Sequence, residues 1–66
     1  MTIDSLALYN TEGHKIKLTD KNGDVVEGFV ILYESECDSG YDEACIGLDI
    51  GLYIRQSEIK TIEILD

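Results

Sequence analysis

Residues 52–65 read LYIRQSEIKTIEIL, and this stretch decides the fold. Residues 52–55 and 59–65 are short runs rich in isoleucine, with Tyr53 and Thr61 among them. β-branched and aromatic residues suit a pleated, half-buried surface, so both runs read as strands. Gln56, Ser57 and Glu58 between them form a corner the size of one 3₁₀ turn. In the second strand Ile62 and Ile64 are expected to face inward. Two short strands around a tight corner point to a small, strongly bent antiparallel sheet.

Upstream, residues 14–19 (HKIKLT) alternate, with Lys15 and Lys17 out and Ile16 and Leu18 in. A period of two marks a half-buried strand. Asp20-Lys21-Asn22-Gly23-Asp24 follows, and Asn-Gly between two apolar runs is a hairpin signal. Residues 25–33 (VVEGFVILY) are the longest β-prone run, with Val26, Val30 and Leu32 expected inward. Gly28 in its middle predicts a bend or bulge, which lets one strand serve two sheets of a small barrel. Residues 34–43 (ESECDSGYDE) read as an acidic, solvated loop or irregular hairpin tip. Residues 44–50 (ACIGLDI) supply a further strand with Ile46 and Leu48 inside, and Gly51 turns the chain into residues 52–55. At the N-terminus, Asp4 or Ser5 is placed to cap a single helical turn carrying Leu6, Leu8 and Tyr9, with a short strand as the alternative. Five strands with short connections predict an all-β, five-stranded antiparallel barrel of the SH3-like or OB-like size class.

Sixty-six residues make one domain. So short a chain buries only about 60% of the surface its unfolded form exposes, and such scaffolds commonly rely on disulfides, metals or oligomers. Two cysteines and one histidine are too few for a structural zinc site, so oligomerisation is the expected aid. Fourteen acids against five bases give a formal net charge of −9. Such a charge opposes non-specific contact with phosphate backbones and anionic lipid, so neither DNA nor a membrane is an expected partner. Between Lys21 and Arg55 there is no base, while Asp24, Glu27, Glu34, Glu36, Asp38, Asp42, Glu43 and Asp49 all fall there. The N-terminal residues lack the basic start and apolar run of a secretory signal, and no segment reaches the length of a membrane span. A cytoplasmic protein is the expectation.

With the strands placed, the chain resembles the Sm-like (LSm) family over roughly residues 14–65. The first Sm motif has an alternating strand, an Asp/Asn-Gly turn, a strand with a central glycine and an aromatic-acid pair. Here these are IKLTDKNG, VVEGFV and Tyr33-Glu34. The second motif, hydrophobic-Ile-Arg-Gly-x-x-Ile-x-x-Ile, falls on residues 52–62, with Gln56 in place of the glycine. More narrowly, the chain is similar to the short acidic Sm-like proteins of low-GC Gram-positive bacteria, through Gly28, Val30, Tyr33, Ser35, Glu36, Asp38 and the run SEIKTIEI. The resemblance implies a bent Sm-like barrel and a mode of assembly, in which the fourth strand of one subunit pairs with the fifth of the next. Leu52, Ile54, Thr61, Glu63 and Leu65 then stand at the interface. The resemblance also implies single-stranded RNA binding, with Arg55 at the family position and Lys15 and Lys17 adding charge. The polar Asp-x-x-Asn element that RNA-binding members carry after the second strand is missing. Protein association, with itself or another protein, is therefore the first functional reading, and RNA binding the alternative.

Other chemistries have simpler explanations. Asp20-x-Asn22-x-Asp24 copies the start of an EF-hand loop, but Val25 stands at the required glycine and Ile31 at the bidentate glutamate. A hairpin turn explains the same residues, so no metal is expected. Cys37 and Cys45 bracket the acidic loop and are expected to be free thiols, one of them partly buried. His14 has no nucleophile or acid at catalytic spacing and reads as a surface residue. No catalytic residue and no cofactor are expected.

Overall fold

The computed structural model describes residues 3–66. A one-turn helix α1 (Ser5–Tyr9) leads into β1 (Lys15–Asp20) and β2 (Val25–Glu34). A short helix α2 (Glu36–Ser39) precedes β3 (Cys45–Leu48) and β4 (Tyr53–Arg55). A 3₁₀ turn (Gln56–Glu58) then leads into β5 (Ile59–Ile64). All five strands lie in one antiparallel sheet of order β4-β3-β2-β1-β5.

The helical alternative at the N-terminus is the one observed. Asp4 caps α1, its Oδ1 accepting from the Leu6 N–H at 2.9 Å. Leu8 is fully buried, and the buried Thr11 hydroxyl donates to the Leu8 carbonyl at 2.6 Å. This ties the helix to the core without leaving Thr11 unsatisfied.

The hairpin forms where Asn-Gly predicted it, but only Gly23 adopts a left-handed backbone, at φ +89°. Asp20 closes the turn. Its Oδ1 accepts from the N–H groups of Asn22 (2.8 Å) and Asp24 (2.9 Å). An Asx turn thus accounts for the acids that imitate a calcium loop.

Gly28 sits where β2 changes partner. Up to Phe29 the strand pairs with β1, and from Val30 it pairs with β3. A Cβ at Gly28 would meet Asp49 Oδ1 at 3.2 Å and Leu48 Cδ1 at 3.4 Å. That carboxylate oxygen accepts from the Phe29 N–H at 3.0 Å, so the glycine admits the group that secures the junction. Because β2 serves both halves, the sheet folds over a single core of Leu8, Ile16, Leu18, Val30, Ala44, Ile46, Leu48 and Ile59. Burying each large aliphatic side chain contributes about 1.5–3 kcal/mol.

Two bulges change the expected facing of side chains. The β2–β3 register shifts between Val30 and Leu32, so Ile31 is extra and the alternation reverses after it. Leu32, expected inward, is 41% exposed, and Tyr33 packs on the core instead. The β1–β5 register shifts between Thr19 and Asp20, which skips Lys60. Ile59 therefore reaches the core at 0% exposure, and Ile62 packs against it from the same face. Ile64, also expected inward, is 43% exposed at the open end of β5. The acidic segment is not all loop, since α2 occupies four of its residues and ends at Gly40 in a left-handed conformation. The third strand is shorter than residues 44–50, and Leu52 and Leu65 fall just outside β4 and β5. Among the described residues β4 and β5 do not pair, so the sheet stays open where a closed barrel was expected.

Candidate functional site

The strand order leaves β4 and β5 as the two edges of the sheet. Hydrogen bonds fix which backbone groups each edge presents. Leu48 N–H donates to the Leu52 carbonyl and Gln56 N–H to the Ala44 carbonyl. Antiparallel bonding alternates, so Ile54 also faces β3, while the backbone groups of Tyr53 and Arg55 face outward. The Arg55 N–H is covered by Glu58 Oε1 at 3.0 Å, which leaves Tyr53 to present both its donor and its acceptor. On β5, Leu65 N–H donates to the Lys15 carbonyl at 2.8 Å. The same parity turns the backbone groups of Ile62 and Ile64 outward.

The ends of these strands are clamped by carboxylates. Beyond β5, Asp66 accepts from the Lys15 N–H at 3.2 Å and meets His14 Nδ1 at 2.9 Å. The His14 contact, then the Lys15 amide, holds the Asp66 carboxyl below its ordinary 3.8. At the corner after β4, Glu43 accepts from both the N–H and the hydroxyl of Ser57. The Ser57 amide first and its hydroxyl second hold Glu43 below its ordinary 4.5. On β4 the Tyr53 hydroxyl donates to Glu34. That bond, with Cys45 second, pushes the Tyr53 hydroxyl well above its usual range.

A groove of about 300 Å³ borders the β4 edge. Leu18, Val25, Val26, Leu52, Tyr53 and Ile54 supply its apolar walls, and Asp20, Asp24 and Glu58 its polar ones. Leu52 and Ile54 were expected at the interface, and both line it. Thr61 and Glu63 are exposed on β5, but their backbone groups face β1. Leu65 is 42% exposed beside them. The sequence reading missed Tyr53 and the hairpin acids, because strand parity and the approach of the hairpin to β4 are tertiary facts.

The residues expected to meet RNA are not gathered in one place. Arg55 lies on β4, while Lys15 and Lys17 lie on β1, with β3 and β2 between. Arg55 Nε lies 3.4 Å from Glu58 Oε1, and its guanidinium lies 5.4 Å from the centre of the Tyr41 ring. Lys17 stands opposite Glu27 on one side and Glu63 on the other. Cys37 is an exposed free thiol and Cys45 a buried one. Among the described residues no cluster of three or more histidines, cysteines or acids is arranged to hold a metal, and no helix is long and apolar enough to cross a membrane. No family model, curated protein or solved structure matches the chain.

Proposed function

We propose that this chain is an Sm-like binding module that works by protein association, through the open edges of its sheet. The observation that carries this reading is the strand order, which makes β4 and β5 the outermost strands. These are the strands whose pairing between subunits the Sm-like resemblance implies. Tyr53, Ile62 and Ile64 offer outward backbone groups there, and an open edge accepts another strand unless it is covered or blunted. The role is binding rather than catalysis, in the cytoplasm, with copies of the chain or another protein as partner. Sedimentation velocity across a concentration series, paired with affinity capture by the tagged chain, tests it. The expected result is a species larger than the monomer or a stoichiometric partner. A strict monomer that captures nothing contradicts it.

One observation favours a second reading, single-stranded RNA binding. Arg55, Tyr41 and Tyr53 form an exposed cationic and aromatic cluster, with the two rings 6.2 Å apart. Such clusters stack on bases. Against this stand the Glu58 partner of Arg55 and the net charge of −9. Anisotropy titration of short U-rich and A-rich RNA decides between them. The association reading expects no saturable binding at near-physiological salt, whereas binding lost in Arg55→Ala favours RNA.

A further inference from the structure

The two edges are chemically unequal, and the inequality specifies a partner. β4 borders the groove, whose described lining contains Asp20, Asp24 and Glu58 and no lysine or arginine. The turn holds Asp24 by its backbone, through its N–H to Asp20 Oδ1 and its carbonyl to the Asp20 N–H. Asp20 uses Oδ1 within that turn, and Glu58 uses Oε1 on Arg55. The apolar floor is formed by Leu18, Val26 and Ile54, of which Val26 and Ile54 are only half-buried. Beside this floor Tyr53 offers an outward N–H and carbonyl.

We propose that the β4 groove takes an extended, basic segment of a partner protein, paired to Tyr53, with an apolar side chain on Leu18, Val26 and Ile54. Lysines or arginines of that segment lie over Asp20, Asp24 and Glu58. This rests on the association reading and narrows it, because charge decides against the simplest rival. A second copy of the chain brings a net charge of −9, and its own β5 end offers Lys60 against Glu63 and Asp66. Like charges brought together across an interface suppress pairing, and opposite charges select the partner. Strand addition supplies the main-chain bonds, while alternate side chains fill the groove and set specificity.

The test uses the whole chain and a fluorescein-labelled peptide of alternating valine and lysine. Its counterpart carries glutamate for lysine, and a third peptide carries N-methylated amides that cannot pair. Saturable binding is expected for the lysine peptide alone, weakened roughly tenfold in Asp24→Lys, since a rim charge is reversed without touching the core. Circular dichroism of Asp24→Lys checks that the fold is kept. Equal binding of the glutamate or N-methylated peptide, or an unchanged affinity in Asp24→Lys, overturns the proposal. Sedimentation of the same samples separates the two levels. Self-assembly without peptide binding gives the groove to a second copy, which sinks the inference and leaves association standing. A monomer that binds neither peptide nor protein sinks both.

Discussion

The two edge strands are attached and guarded in different ways. β5 runs for six residues along β1 and buries Ile59 completely. A bulge at Lys60 interrupts it, Lys60 and Glu63 stand exposed along it, and Asp66 clamps its end. Bulges and charges are the usual means of discouraging edge pairing. β4 is only three residues long, is anchored by the half-buried Ile54, and borders an apolar groove ringed by acids. The lesson is that firm attachment and accessibility lie at opposite edges. The strand best fixed to the core is the one better protected from strangers.

The largest expected effect attacks the attachment of β5. Ile59→Ala removes a fully buried side chain and should cost about 2–5 kcal/mol in urea unfolding. Ile54→Ala, at a half-buried site, should cost clearly less, and the reverse order would break the contrast between the edges. Gly28→Val comes next. The new side chain crowds the Asp49 carboxylate that accepts from the Phe29 amide and presses on Leu48, at about 1–3 kcal/mol. Since β2 carries both halves, this loss should weaken both edges together, seen as uniformly faster amide exchange.

A smaller effect follows from the carboxylate clamps. Glu43 and Asp66 both titrate below their ordinary values of 4.5 and 3.8. A carboxyl that is more acidic when folded stabilises the protein above its unfolded value, and that contribution is lost as pH falls through the folded one. Thermal midpoints should therefore drop as pH falls below 4.5, where the Glu43 contribution starts to be lost, with the Asp66 contribution following below 3.8. Glu43→Gln should remove the β4 corner's share of that drop, and Asp66→Asn the share at β5. The smallest effect is expected from Arg55→Ala, whose partners are exposed. Its melting midpoint should move little.

Much of the strand plan was legible because it rests on local chemistry. The alternation through Ile16 and Leu18 and the turn at Gly23 are each dictated by neighbours in sequence, whereas the N-terminal residues suited a helical turn or a short strand and only the fold chose the helix capped by Asp4. What was not legible depends on counting across strands. A single extra residue at Ile31 turned Leu32 outward, and another at Lys60 brought Ile59 into the core. Both bulges answer to the partner strand, which the local pattern does not contain. The same limit hid the β4 groove, since Asp20 and Asp24 of the β1–β2 turn line it with Leu52 and Tyr53, residues about thirty positions away in sequence.

The most direct measurement is amide hydrogen exchange, read residue by residue by NMR, on the chain alone and with the valine-lysine peptide. The Tyr53 amide should exchange fast in the dilute chain and gain protection with the peptide, while Ile62 and Ile64 do not change. Protection gained at Ile62 and Ile64 with none at Tyr53 would contradict this expectation by making β5 the edge that binds.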